Sequence, residues 1–293
     1  MSENLIKLIV ECDICDHSEA VISKLCRVKY CLPDLGYYIV EVPEADYPRL
    51  ERLTGIRAVH ATAAIAAQSR EPPTVANESR FTGQGLSIAF LDTGISPVRD
   101  FIEPENRIIA FKDFVNGFKE PYDDNAHGTH VAGIATGNGA ASNGRYVGVA
   151  PGCGLVGVKI LDDKGRGDTA EFLAGIQWTI TNKDKYNIRV ANMSVGTSNV
   201  SGEPLVRAVE AAWDKGIVVC AAAGNGGPGP STITSPGTSR KVITVGSSDD
   251  DKVKWLQFNK IYHGFFAIPD DVFDYFPQDI TFFKGVRDGR KAA

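Results

Sequence analysis

The chain has 293 residues, 43% of them hydrophobic, with 31 Lys+Arg against 36 Asp+Glu for a net charge of -5. That apolar content supplies sizeable cores, and the slight acidic excess gives no electrostatic basis for a nucleic-acid or anionic-membrane partner. MSENLIKLIVECD opens without a basic segment leading into an apolar run, and no later stretch approaches ~20 uninterrupted apolar residues, so the expectation is a cytoplasmic protein with no membrane partner.

Residues 5–12 (LIKLIVEC) and 37–42 (YYIVEV) read as strands, 18–26 and 44–53 carry helical apolar spacing, and 56–67 is a further apolar run. Residues 1–68 are thus expected to form a small α+β unit. Six cysteines stand at 12, 15, 26, 31, 153 and 220 and read as reduced thiols in that compartment. Cys12/Cys15 and Cys26/Cys31 match a zinc pattern only loosely, because the second spacing is wide. SREPPTVANESR, 69–80, is polar with a Pro-Pro pair and suits an exposed linker.

From Leu86 onward, short apolar runs (LSIAFLD, GLVGVKIL, IRVANMSV, IVVCAAAG, KVITVGS) do not alternate, the pattern of strands buried on both faces of a parallel sheet. Between them, 168–187 and 203–216 have helical spacing, with acids near their starts and Gly216 closing the second. The fold class predicted for 81–250 is a doubly wound α/β sheet with helices on both faces.

Asp92, Ser194 and Asn225 punctuate the ends of three of these runs, and in open parallel sheets ligands bind at the carboxyl edge of the strands. DDNAHGTHVAG (123–133) places His127 at a helix start facing that edge. A catalytic histidine needs an acid to fix its tautomer, and Asp92 is the candidate. Asn225, among Gly224, Gly226 and Gly227, offers an amide on a loop open to close approach. Taken singly, each residue reads as a turn or a cap; the chemistry lies in the constellation. Zinc at His127/His130 is disfavoured, because the glutamate of a zinc-protease helix does not stand between them.

Together, IAFLDTGI, HGTHVAGIATG, GVAPGCGLVGVKILD, ANMSVG and AAAGNGGPG resemble, in order over about 81–250, the signature segments of the subtilisin-like serine proteases, and within them the intracellular alkaline branch. The resemblance implies a serine endopeptidase with Asp92 as triad acid, His127 as general base and Asn225 as oxyanion-hole side chain. It implies that Ser194, Val195 and Gly196 receive substrate as an added strand, with Gly224 and the rest of 221–229 lining the pocket beside the scissile bond, and that His130 packs within its helix. The implied partners are a peptide or protein substrate and the chain's own N-terminal unit, acting as a prodomain. No cofactor is required; structural calcium is common among such proteins, and no acidic loop here presents itself as its site.

Two features depart from that pattern. Ala126 stands where the family usually has glycine, and no GTS-x-A nucleophile segment follows Asn225. The GTS at 237–239 precedes an apolar strand and is followed by Arg240 and Lys241, so Ser239 is read as part of a structural loop. After Asp251 the motif likeness ends, and 251–293 form a divergent, aromatic-rich tail. The expectation is a chain without its nucleophile, inactive as a protease, with a peptide-binding pseudoprotease as the alternative.

Overall fold

The computed structural model describes residues 4–13, 16–68, 81–197, 203–227 and 230–246. In the N-terminal part, β1 (Leu5–Cys12), α1 (Asp16–Ile22), β2 (Arg27–Leu32), β3 (Tyr37–Pro43), α2 (Tyr47–Leu50), β4 (Ile56–Ala61) and β5 (Ala64–Ala67) follow in order. Four of the strands pair antiparallel in the order β2-β3-β1-β4.

The two faces of this sheet have different partners. Leu8, Val10 and Cys12 of β1 and Tyr38, Val40 and Val42 of β3 form a small core with Ile22, Cys26 and Leu50. Ile9, Leu32, Tyr37 and Ile39 point the other way and join the main core of the molecule. Burial on both sides explains why YYIVEV does not alternate.

The helix expected over 44–53 shrinks to a 3-10 turn and the four residues of α2, because Pro48 lacks a backbone donor and Gly55, at φ +93°, turns the chain into β4. The spacing over 18–26 yields a helix only to Ile22, followed by turns. The apolar run 56–67 divides into two strands that belong to different sheets.

The second part contains β6 (Ser87–Asp92), α3 (Arg99–Ile102), β7 (Ile108–Asp113), α4 (His127–Thr136), β8 (Gly154–Lys159), β9 (Arg166–Asp168), α5 (Thr169–Thr181), β10 (Ile188–Met193), β11 (Val195–Gly196), α6 (Glu203–Asp214), β12 (Val218–Ala222) and β13 (Ile243–Val245). Six strands form a sheet in the order β13-β12-β10-β6-β8-β7, every neighbouring pair parallel. The five expected runs are five of these strands. The sixth, β7, lies at the edge and is only partly buried; its short apolar run IIAF was not among those expected.

Alternate residues of the strands serve opposite faces. Ala89, Leu91, Val156, Val158, Ala191, Met193, Val219 and Ala221 pack with residues of α5 and α6, whereas Phe90 and Leu155 pack with Phe101 of α3 and Ala132 of α4. Helix α5 starts where Asp168 Oδ1 accepts from Ala170 N at 2.7 Å. It ends at Thr181, short of the expected 187, and the chain then turns through Asn187 at φ +47°. Among the described residues no helix is long and apolar enough to cross a membrane.

The two parts meet through apolar packing and a ring of charges. Ile65 of β5, 1% exposed, shares the main core with α5 and α6. Around it, Lys7 pairs with Asp168 and Glu171, Lys29 Nζ with Glu171 Oε1 at 2.8 Å, Arg207 Nη1 with Glu11 Oε2 at 2.5 Å, and Lys215 Nζ with Asp34 Oδ1 at 2.8 Å.

Candidate active site

The carboxyl edge of the sheet carries the expected residues. Asp92, the last residue of β6, is fully buried, and its Oδ1 stands 2.7 Å from His127 Nδ1 and accepts from Thr93 N at 2.6 Å. An ionised carboxylate only accepts, so this contact places the ring proton on Nδ1. His127 opens α4, as predicted. Burial works against its charged form, but the hydrogen bond and charge of Asp92, with the charge of Asp123, outweigh it and raise its pKa above the ordinary value. Its Nε2 and Asp92 Oδ2 are buried atoms without a hydrogen-bond partner among the described residues.

The loop before His127 is organised by Asp123, which the sequence reading did not single out. Asp123 Oδ1 accepts from Thr93 Oγ1 at 2.9 Å, Asn125 N at 3.0 Å and Ala126 N at 2.9 Å. Its Oδ2 accepts from Thr129 N at 2.8 Å and Thr129 Oγ1 at 2.6 Å. Burial opposes the charge on Asp123, yet these donors hold its pKa below the usual carboxylate range. Thr93 Oγ1 in turn accepts from Gly128 N at 2.9 Å, tying α4 to the strand that ends in Asp92. An acid shortly before a helix start is a capping signal, and it was available in DDNAHGT.

Ala126 adopts φ +80°, the left-handed region that disfavours a Cβ, at the position where a glycine was anticipated. Ala126→Gly is therefore expected to raise stability by about 1 kcal/mol, read as a higher urea midpoint at unchanged slope. A lower midpoint would show that the loop gains nothing from glycine.

His130 does not pack as expected. The buried stripe of α4 runs through Gly128, Ala132 and Thr136, and residue 130 lies about 200° around the helix from residues 128 and 132, so the side chain is exposed.

Ser194–Gly196 is occupied by the chain itself. β11 pairs antiparallel with β5 (Val195↔Ala67, Gly196↔Ala66), and Gln68 N donates to Ser194 O at 2.7 Å. On its other side β5 pairs with β9 (Ala64↔Asp168, Ile65↔Gly167, Ala66↔Arg166). Residues 64–67 are thus the middle strand of a three-stranded sheet, with Gln68 continuing along Ser194.

Gly224, at φ +102°, and Gly196 both approach Thr234: a Cβ at either would stand 2.6 Å or 2.4 Å from Thr234 Oγ1. Thr234 is a second residue that sequence reasoning missed, and no local pattern marks it. Asn225 lies exposed beyond the end of β12, at the same edge as Asp92 because β12, β10 and β6 are parallel. Part of the expected pocket, 228–229, falls outside the described residues, as do the linker 69–80 and the tail.

Ser239 is 3% exposed; its Oγ donates to Glu210 Oε1 at 2.8 Å and accepts from Lys241 N at 3.1 Å, which fits a structural loop. Among the described residues no group of three or more His, Cys, Asp or Glu could hold a metal ion, and Cys15 lies outside them.

A family model described as "Subtilase family" matches residues 83–280, beyond Asp251 where the motif likeness ends. Among curated relatives, Serine protease AprX of Bacillus subtilis (strain 168) is 47% identical over 204 residues, 67% of this chain and 45% of that protein. Subtilisin BL of Lederbergia lenta is 36% identical over 184 residues, 62% of this chain and 63% of its own length. An alkaline protease of Alkalihalobacillus alcalophilus is 33% identical over 221 residues, 72% and 54% of the two chains. This chain therefore spans between 45% and 63% of the length of these three relatives. With the family model matched over more than half of its length, and the same segments bringing Asp92 against His127, the chain belongs to the subtilase family.

Proposed function

We propose that this chain carries the acid–base and peptide-binding parts of a subtilisin-like serine endopeptidase site, which hydrolyses peptide bonds by acyl transfer. The observation that carries the proposal is the Asp92–His127 hydrogen bond beside a strand held at Ser194–Gly196. In this reading Asp92 fixes the ring tautomer and stabilises the imidazolium, and His127 Nε2 takes the proton of a nucleophile. The Asn225 amide binds the oxyanion, and the backbone of Ser194, Val195 and Gly196 holds the extended peptide, with Gly224 allowing close approach. The substrate is a peptide or protein, the site is cytoplasmic, and no nucleic acid or membrane takes part. No cofactor enters the reaction, and a structural calcium has no assigned site.

Residues 1–68 are proposed as a prodomain, 69–80 as linker, 81–250 as an incomplete catalytic domain and 251–293 as a divergent tail. The nucleophile is proposed to be missing from this chain. No GTS-x-A segment stands between Asn225 and residue 293, Ser239 is committed to Glu210, and His127 Nε2 has no partner among the described residues. A second reading, a pseudoprotease that binds peptides without cutting them, is favoured by the placement of β5 along β11.

The test is the purified chain with a chromogenic peptide and a serine-directed fluorophosphonate. No turnover and no labelling are expected. Stoichiometric labelling abolished by Ser239→Ala would overturn the missing nucleophile and make the loop serine reactive.

A further inference from the structure

At the carboxyl edge of the large sheet three charged residues stand in register, Asp92 of β6 opposite Lys159 of β8, and Lys159 opposite Asp113 of β7. All three side chains act on the segment that leads into His127. Asp92 takes His127 itself. Asp113 Oδ2 accepts from Tyr122 Oη at 2.8 Å and from Phe118 N at 3.1 Å, while Oδ1 accepts from Val115 N and Asn116 N at 2.8 and 3.0 Å.

Lys159, between them, is 0% exposed. Its Nζ donates to Thr93 O at 2.5 Å, Leu161 O at 2.8 Å and Asp124 Oδ1 at 2.6 Å, and lies 5.2 Å from the centroid of the Tyr122 ring. All three ammonium protons are used. The segment is closed from the other side as well, since Ile95 N donates to Tyr122 O at 3.1 Å and Gly94 bridges to Asp123.

A buried ammonium costs several kcal/mol in lost hydration, and a methionine of similar volume would fill the same space without that cost. What methionine cannot do is bind two carbonyls and a carboxylate from three separate segments. Those segments are the residue following Asp92, the turn after β8, and the loop that sets the start of α4.

We propose that Lys159, acting through Asp124, is a positioning residue for His127: it fixes the 122–126 loop against the Thr93 backbone so that His127 Nδ1 meets Asp92. The inference rests on the reading of His127 as the base of this site. Lys159 and Asp124 touch no reacting atom; their effect is on where the imidazole stands and how tightly its proton is shared.

The experiment is NMR of the full chain, following the low-field Nδ1 proton of His127 and the pH titration of its ring. Wild-type chain is expected to show the low-field proton and a raised titration. Lys159→Met and Asp124→Ala are expected to lose the resonance and return the titration towards the ordinary histidine value. Asp124→Asn keeps an acceptor oxygen and is expected to restore the resonance.

The Asp124 side chain is 35% exposed, so Asp124→Ala carries the test if Lys159→Met fails to fold. A folded Asp124→Ala with lower stability but an unchanged resonance and titration would overturn the proposal, because a merely structural contact predicts that result. Asp92→Asn separates the two layers: an unchanged titration there would sink the Asp92–His127 pairing itself, on which the inference stands.

Discussion

Gly128→Ala is expected to lower the unfolding free energy by about 3 kcal/mol and to separate His127 from Asp92. A Cβ built on Gly128 stands 2.3 Å from Gly94 O and 3.1 Å from Asp92 Cβ, well inside contact distance. The neighbour that must give way is backbone, and that backbone is itself bridged to Asp123. Gly94 itself adopts φ +129°, with its own Cβ position 2.1 Å from Tyr122 O. The added methyl must therefore move α4 away from β6, stretching the Gly128 N to Thr93 Oγ1 bond of 2.9 Å and carrying His127 with it. Urea unfolding should show a lower midpoint at unchanged slope, with loss of the His127 low-field proton in the folded variant. A wild-type midpoint would mean that the approach of α4 to β6 is looser than these distances.

Ile65→Asp is expected to release β5 from its place between β11 and β9 and to open Ser194–Gly196 to added peptide. Ile65 is 1% exposed in the core shared with α5 and α6, and burying such a side chain contributes about 2–3 kcal/mol. A carboxylate there would lose that contribution and be left in apolar surroundings. Since about 1.4 kcal/mol is a factor of ten, a labelled pentapeptide copying residues 64–68 (AIAAQ) should bind at least about tenfold more tightly to the variant, measured by fluorescence anisotropy. Equal affinity for both chains would show that residues 64–68 and added peptide do not compete for one strand.

Five of the parallel strands were legible because their predominantly apolar runs do not alternate, as burial on two faces dictates; β7 was overlooked although IIAF is such a run, and its only partial burial is set by its place at the sheet edge. Asp92 and His127 were legible because motif order placed them, and their convergence followed from the direction of parallel strands. Asp123 was overlooked although its position before a helix start was a usable sign. Lys159 carried a sign too, a lysine inside the apolar run GLVGVKIL, since a charge in a doubly buried strand must find partners. Which partners it finds was not legible, because they come from separate loops brought together only by the closed sheet. For β5, the apolar run 56–67 hid a change of sheet: β4 completes the small antiparallel sheet, while β5 leaves to lie against Gly196 and Arg166.

The core shared by Ile9, Leu32, Tyr37, Ile39 and Ile65 with α5 and α6 makes cutting the chain and parting its pieces two separate events. A nick anywhere in 69–80 would remove one covalent connection and none of the apolar burial, the ion pairs or the β5 ladder. The fragments would therefore remain a non-covalent complex, diluting apart on the timescale of their own dissociation. In such a complex the time for which residues 64–68 stay on Ser194–Gly196 is set by an off-rate, and any protease that digests the released small unit would turn that reversible equilibrium into a one-way step.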